Sequence, residues 1–380
     1  MTWSRTIGQE SIKKVLQKQI IDGRIPHAYC FWGDEGTGKE ATAIEFAKTV
    51  NCENPIVTEN TIEYCGECGS CKMFDKLSHP NIEIIFAMPK TKSNNSDSNL
   101  SGKQIDEIGT QLKLKSENYY HKIEVKGGNQ ILIDSIRKLK KTLSLSQVSR
   151  GRRVVIVSRA DEMTVESANA FLKTLEEPHE NVTIILTTSR KELLLPTILS
   201  RCQTIHFPGL SRKTITEYLI EVKNIDSNEA ELAAAFSQGS ITRSLDFLND
   251  DMRQLRELAV AMLRTALTKK GYKINLSKSI DELTKDKSKR KIEMFLNILL
   301  LWLRDVEIFR NTEDKDRLVN IDHQEVFQRF IKTFGKSDIK TAIETVENSI
   351  ARIKKNMPLN LLLLSMFIEI RSVLYNNNDI

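Results

Sequence analysis

The sequence predicts an α/β module built on a parallel sheet, followed by helical domains. Four apolar runs have the length and hydrophobicity of buried strands and lie at residues 27–32, 152–157, 181–189 and 202–207. Segments with helical apolar spacing separate these runs, as expected where helices cover both faces of a parallel sheet. Beyond residue 208 the helical spacing continues to the end of the chain.

Length and composition indicate an ordinary globular protein with more than one domain. The chain has 380 residues, 28% of them charged and 40% hydrophobic, and its net charge of +6 permits a nucleic-acid partner without requiring one. Its start lacks the basic-then-apolar layout of a signal peptide, and its most apolar run, residues 359–370, is too short to span a bilayer. We therefore expect a cytoplasmic protein without a membrane partner.

We predict three domains along the chain. Residues 1–208 form the α/β nucleotide-binding-like domain, residues 209–250 a small helical domain, and residues 251–380 a second helical domain. The first domain contains a cysteine knuckle at 52–71 and a polar insertion at 87–112. Because the insertion is rich in Ser and Asn, we expect a surface insertion or a disordered loop there, and we assign it no function.

The first strand leads into a near-match to a phosphate-binding loop. In such loops backbone N–H groups hold phosphate oxygens, a lysine neutralises the β- and γ-phosphates, and a Ser or Thr hydroxyl ligates Mg²⁺. Gly33, Gly36, Gly38 and Lys39 preserve the cradle, but Glu40 replaces the hydroxyl residue. A carboxylate there suits the helix dipole, so it could simply cap its own helix, and it repels a triphosphate. We expect ATP binding to be weak or absent.

A nucleotide motor also needs carboxylates at the tip of a neighbouring strand, where they hold the metal ion and polarise water. In the run VVIVSRADEM the residues at the strand tip are Ser158 and Arg159. Asp161 and Glu162 lie further on, beside the next helix. A hydroxyl and a cation cannot replace two carboxylates as ligands of a metal ion. Like Glu40 in the phosphate-binding loop, these two residues therefore indicate that ATP hydrolysis is lost.

Four of the six cysteines are clustered in one short segment: Cys52, Cys65, Cys68 and Cys71. Four thiolates form a closed tetrahedral set for structural Zn²⁺, and the small residues between them permit a tight turn. An iron–sulfur cluster could use similar spacing, but no redox context accompanies it, so we predict zinc. Cys30 and Cys202 lie in apolar strands, and we interpret them as core residues.

Ser200 and Arg201 lie between a short helix and the fourth strand, at a boundary near the edge of the module. This position permits two interpretations of the arginine. Arg201 could be an ion-paired surface residue, or it could offer its guanidinium to a phosphate on an adjacent subunit as an arginine finger. Spacing alone leaves both interpretations open.

Six segments together resemble the clamp-loader branch of the AAA+ ATPases, in that family's order. They are IGQESIKKVL (7–16), GRIPHAYCFWGDEGTGKE (23–40), CGECGSC (65–71), SANAFLKTLEEP (167–178), IILTTS (184–189) and LPTILSRCQTIHF (195–207). The resemblance implies a P-loop AAA+ module with a zinc knuckle, then a helical lid and a helical collar for oligomerisation. It also implies a hetero-pentamer with gamma/tau and delta subunits of DNA polymerase III, which opens a sliding clamp and leaves it on primed DNA during replication.

Departures from the motor subunits of that family indicate the role of this chain. Where those motors have Lys-Thr in the loop and Asp-Glu in the second motif, this chain has Glu40, Ser158 and Arg159. The resemblance therefore implies a largely non-catalytic stator without intrinsic ATPase activity. It further implies that Ser200 and Arg201, within Ser-Arg-Cys, serve the ATP site of a neighbouring subunit, and that the four clustered cysteines bind zinc.

Two other interpretations remain open. The chain could be an active gamma/tau-like ATPase that uses Lys39 with Asp161 or Glu162 as substitutes. It could instead be a zinc-knuckle module for nucleic acid with a passive α/β domain. Lys39-dependent ATP hydrolysis would favour the first, and strong, salt-sensitive DNA binding would favour the second.

Overall fold

A computed structural model describes most of the chain. The described residues are 3–89, 101–144, 151–177, 179–248, 250–286, 288–312, 318–353 and 357–376. The chain forms two compact units, the first comprising Met1–Tyr218 with Gly239–Thr242 and the second Leu219–Gln238 with Arg243–Ile380. The division into three domains at residues 208 and 250 stays a prediction.

The first unit is built on a parallel five-stranded sheet with the strand order β4-β5-β6-β1-β7. The strands are β1 (Ala28–Trp32), β2 (Ile56–Val57), β3 (Ile62–Glu63), β4 (Ile82–Ile85), β5 (Arg153–Val157), β6 (Val182–Thr188) and β7 (Gln203–His206). β2 and β3 form a separate antiparallel hairpin. In the main sheet Trp32 is in register with Thr188 and His206, so the loops after β1, β6 and β7 emerge at one edge.

Helices pack on both faces of this sheet. Those in the first unit are α1 (Glu10–Ile21), α2 (Lys39–Val50), α3 (Gly69–Asp75), α4 (Gly102–Glu117), α5 (Ile133–Ser144), α6 (Val165–Glu176) and α7 (Pro196–Leu199), and α8 (Arg212–Glu221) continues into the second unit. On one face Val155 packs in a core with Leu139 of α5 and Phe171 of α6. On the other face Ile156 packs with Phe46 of α2. The predicted fold class, a parallel α/β module flanked by helices, is confirmed.

The polar insertion agrees with its prediction in part. Residues 102–112 lie in α4 with exposed or half-buried side chains, so a surface insertion fits them and a disordered loop is wrong. Ala87 is buried, so neither description fits that residue. A capping box begins this helix, because Ser101 accepts from the Gln104 backbone N–H and the Gln104 side chain accepts from the Ser101 backbone N–H. Residues 90–100 lie outside the described part of the chain.

Helices are the only regular elements in the described residues of the second unit. After α8 follow α9 (Ser227–Phe236), α10 (Ile241–Phe247), α11 (Asp250–Ala266), α12 (Tyr272–Leu283), α13 (Lys289–Asn311), α14 (Gln324–Phe334), α15 (Ile339–Ile353) and α16 (Leu359–Asn376). Phe295 of α13 meets Phe367 of α16 edge-on, with ring centroids 6.3 Å apart. The buried Arg256 donates from Nε to Asn320, 2.9 Å away, and so ties α11 to the turn before α14. Within the described residues, no helix has the length and apolar character needed to cross a bilayer.

Candidate functional site

The loop between β1 and α2 is held by close backbone packing. A Cβ atom on Gly33, whose φ is 146°, would lie 2.2 Å from the carbonyl oxygen of Phe207. A Cβ atom on Gly36, whose φ is 77°, would lie 2.1 Å from Oγ of Ser240. The Gly33 N–H donates to the carbonyl of Thr188, 3.2 Å away. Glycine is therefore required at both positions by the loop's own neighbours.

Lys39 is folded back onto the loop that precedes it. Its Nζ donates to the carbonyl oxygens of Gly33 and Asp34, at 2.7 and 2.6 Å. Burial lowers the pKa of Lys39 to about 8, although the nearby carboxylates of Glu40, Glu35 and Asp34 oppose this shift. The ammonium group is thus hydrogen-bonded to the carbonyls of its own loop, which is the loop that would hold a phosphate.

Glu40 is bound by side chains from two other elements. Ser158, at the tip of β5, donates to Oε1, and Lys115, on α4, donates to Oε2. Lys115 is 2% exposed and also donates to the carbonyl of His121, 2.8 Å away. Burial opposes ionisation of Glu40, but the adjacent ammonium and hydroxyl outweigh it and hold the pKa of Glu40 below its ordinary value. Glu40 is thus more than a cap on its own helix.

The two carboxylates considered as substitutes for a metal-binding pair already have partners. Asp161 accepts from Oγ1 of Thr188 at 2.7 Å and from Nε of Arg190 at 2.8 Å. Glu162 lies 3.3 Å from Nε of Arg159. β5 ends at Val157, as predicted, so Arg159 occupies the strand tip and Asp161 and Glu162 lie in the next short turn.

Arg201 follows α7 at the surface of the first unit. Its Nη2 donates to Oε1 of Glu176 at 2.8 Å, and its Nη1 donates to the carbonyl of Thr197 at 2.9 Å. Oγ of Ser200 donates to the same carbonyl, 3.1 Å away. The Arg201 side chain is 35% exposed, so it is both ion-paired and accessible. Both interpretations from the sequence are compatible with this geometry.

The four clustered cysteines converge at one point. All four sulfur atoms lie within 4.8 Å of one another, and Sγ of Cys52 lies 3.6 Å from those of Cys65 and Cys71. In a tetrahedral thiolate site with metal–sulfur bonds of about 2.3 Å, neighbouring sulfurs lie about 3.8 Å apart. Cys68 also caps α3 by accepting from the Cys71 N–H. The cluster therefore has the donors and dimensions to hold a metal ion.

The remaining two cysteines lie in the apolar interior, in agreement with their interpretation as core residues. Cys30 is fully buried in the core shared with α5 and α6, and Cys202 packs against the same cluster. Burial raises the pKa of Cys30 to about 11 and that of Cys202 to about 12. Both thiols are thereby kept neutral and away from metal chemistry.

Sequence reasoning missed Lys115, because α4 was not expected. Two signals could have found it. Ser101 and Gln104 have the spacing of a capping box, and Ile108 and Leu112 have helical apolar spacing and pack against a small core. No sequence signal links Lys115 to Glu40, since the two residues are 75 positions apart.

The chain is similar to several known proteins. Residues 8–211 match the family described as DNA polymerase III, delta subunit. The delta' subunit of DNA polymerase III from Bacillus subtilis strain 168 is 27% identical over 353 residues, which cover 93% of this chain and 92% of that protein. The tau subunit of the same organism is 26% identical over 73% of this chain, but only 43% of its own length is covered. A solved gamma subunit-related structure from Thermotoga maritima covers 96% of this chain and 99% of that one, with a TM-score of 0.43 and 17% identity.

Proposed function

The chain belongs to the DNA polymerase III delta subunit family, and from this membership we propose that it is a delta prime-like subunit of the clamp loader. It joins gamma/tau and delta subunits in a cytoplasmic hetero-pentamer that loads the sliding clamp onto primed DNA during replication. The match to a delta' subunit extends over 92% of that relative, against 43% for a tau subunit, which supports the delta prime assignment.

Within this assembly the chain acts as a largely non-catalytic stator. The observation that carries this proposal is the state of Glu40, which replaces the magnesium-ligating hydroxyl and is bound by Lys115 and Ser158. Lys39 is engaged with the loop's own carbonyls, which supports weak or absent ATP binding. A gamma/tau-like active ATPase is the second candidate, favoured by the retained Lys39.

Arg201 is the residue through which the stator acts on its neighbour. A surface ion pair such as that between Arg201 and Glu176 contributes only about 0–1 kcal/mol. Arg201 can therefore exchange Glu176 for a triphosphate on an adjacent subunit at little cost, where its planar guanidinium suits phosphate oxygens. Ser200, 3.4 Å from Nη1 of Arg201, helps to hold the turn that presents the guanidinium.

The four-cysteine cluster holds a structural Zn²⁺ ion in this proposal. Cys52, Cys65, Cys68 and Cys71 supply four soft sulfur donors and leave no position for water, which is typical of structural zinc. Bound zinc would fasten the segment that carries the β2–β3 hairpin to the start of α3. Its contribution is to folding of the knuckle, not to the reaction at the phosphate loop.

The test is clamp- and DNA-dependent ATP turnover by the reconstituted loader containing Arg201→Ala. We expect turnover to fall roughly tenfold or more, because an arginine finger stabilises charge on the transferred phosphoryl group. Arg137→Ala is the matched control, since Arg137 is also exposed and ion-paired on the first unit. Size-exclusion chromatography would establish that both variants assemble. Unchanged turnover in an assembled Arg201→Ala loader would show that the finger assignment is wrong.

A further inference from the structure

The residues that depart from the motor pattern are linked to one segment, residues 101–124, which comprises α4 and the turn that follows it. Lys115 of this segment donates to the Glu40 carboxylate, which also accepts from Ser158. Arg159 donates from Nη2 to the carbonyl of Ile123, 2.9 Å away. Glu40 and Arg159 are thus each hydrogen-bonded to this segment, and Ser158 is bonded to Glu40.

The same segment also packs against the phosphate loop itself. The hydroxyl of Tyr120 accepts from the Ile7 N–H at 2.9 Å and lies 3.1 Å from the position that a Cβ atom on Gly38 would take. On the outer side Nζ of Lys122 lies 3.5 Å from Oε1 of Glu35. The segment therefore approaches the loop at two points, Gly38 and Glu35.

Lys115 is bonded to a residue that stands at a metal-binding position of the ATPase motif. In a working phosphate loop Mg²⁺ binds between the hydroxyl after the lysine and the carboxylates of the neighbouring strand tip. Here the corresponding positions are Glu40 and Ser158, which bond to each other, and the Lys115 ammonium binds the free oxygen of Glu40. The ammonium is buried, and its bond to the His121 carbonyl fixes it there.

We propose that Lys115 is a built-in substitute for Mg²⁺. Its ammonium neutralises the carboxylate at position 40 and excludes a divalent cation from the cleft by charge and by occupancy. The loop then keeps its folded shape without a metal–nucleotide complex. This inference rests on the proposed non-catalytic role and deepens it, since it assigns a positioning role to Lys115 and a function to the end of α4.

The proposal predicts that Glu40 is not the only barrier to metal binding. Glu40→Thr restores the hydroxyl of the motif but leaves the Lys115 ammonium in place, now without its carboxylate. The double variant Glu40→Thr/Lys115→Met removes both charges together, so no buried ion is left unpaired. Glu40→Thr/Lys113→Met is the matched control, because Lys113 is an exposed lysine on the same helix.

The test is ATP binding to the full, zinc-loaded chain by isothermal titration calorimetry, with MgCl₂ and with EDTA. We expect Mg²⁺ to tighten ATP binding at least tenfold in Glu40→Thr/Lys115→Met. We expect no such effect in the wild type, in Glu40→Thr or in the Lys113 control. A Mg²⁺ effect of equal size in Glu40→Thr alone, or none in a double variant with native circular dichroism, would overturn the proposal.

A measurement on the wild type covers the case in which the double variant does not fold. Tenfold tighter ATP binding by the unmodified chain in Mg²⁺ than in EDTA would show that Lys115 does not exclude the metal ion. Equal binding in both conditions, including none, is the expected result. Arg201 takes no part in binding by the isolated chain, so failure here and failure of the stator assignment are separate outcomes.

Discussion

Lys39 and Glu40 are neighbours in sequence, and folding lowers the pKa of both side chains. The physical cause differs between the two residues. For Glu40 the Lys115 ammonium outweighs the effect of burial, so the lowered pKa favours the carboxylate. For Lys39 burial dominates, so the lowered pKa favours the neutral amine. Glu40 therefore stabilises the fold above the pKa of an unfolded Glu, and this contribution is lost as pH falls through its folded pKa. At neutral pH the lowered pKa of Glu40 therefore favours folding and that of Lys39 opposes it, although both contributions rise with pH, each in its own range.

Lys39 should make the protein more stable in mildly alkaline solution. Its pKa is about 8 in the folded chain against 10.5 in a model compound, so the unfolded state binds more protons between these values. The free energy of unfolding then rises with pH across this window, by about 2 kcal/mol between pH ~7 and ~9.5. Urea unfolding of the wild type and of Lys39→Met at both pH values measures this contribution.

The comparison with Lys39→Met cancels the titration of all other groups, to the extent that the variant leaves them unchanged. The difference in unfolding free energy between the wild type and the variant should therefore change with pH in favour of the wild type. A difference that is the same at both pH values would show that burial does not lower the pKa of Lys39.

At the scale of elements, uninterrupted apolar patterns predicted their strands correctly. β1, β5 and β6 were predicted because each forms a clear apolar run. β7 was also predicted, although its residues are mostly polar and mostly exposed. β4 was missed, because Ile82–Ile85 is only four residues long and contains Glu83. α4 was missed because its polar composition hid a helix whose start depends on the local bonds of Ser101.

The cysteine knuckle gives a prediction that belongs to this scale. We expect one zinc ion per purified chain, because four thiolates converge at tetrahedral spacing. Cys52→Ser and Cys68→Ser should each lower the zinc content severalfold and destabilise the β2–β3 hairpin and α3, since metal binding and folding of such a knuckle are coupled. Zinc content is measured by plasma mass spectrometry and local unfolding by hydrogen exchange.

Cys202→Ser is the control for this experiment. Cys202 is a free cysteine packed against the apolar core, so its replacement should leave zinc content unchanged. Equal zinc content in Cys52→Ser, Cys68→Ser and the wild type would contradict the knuckle assignment. Iron instead of zinc in the purified chain would favour the iron–sulfur interpretation.

For the whole molecule, the prediction is that the isolated chain does not hydrolyse ATP. The strand tip lacks carboxylates, and Asp161 and Glu162 are paired with Arg190 and Arg159. Turnover by the purified chain should equal that of Lys39→Met, measured by phosphate release with and without DNA. Hydrolysis that disappears in Lys39→Met would favour the gamma/tau-like alternative.

The sequence identified which motif residues the site lacks, but it did not identify the contact that Lys115 makes there. Glu40, Ser158 and Arg159 were recognised from their positions in two motifs, because the strand–loop–helix order fixes what each position should do. Lys115 could not be paired with Glu40 in this way, since their contact depends on where α4 packs in the first unit. Long-range contacts between charged side chains leave no periodic signal in one sequence.

The close approach of Gly33 to Phe207 and of Gly36 to Ser240 has a wider consequence. These glycines are indispensable to the architecture whether or not any nucleotide ever enters the cleft, since side chains there would collide with the chain itself. In this chain the two glycines therefore reflect backbone crowding and are not by themselves evidence of nucleotide binding. Whether this loop can bind a nucleotide depends on the polar side chains around it, which are those of Lys39, Glu40 and Lys115.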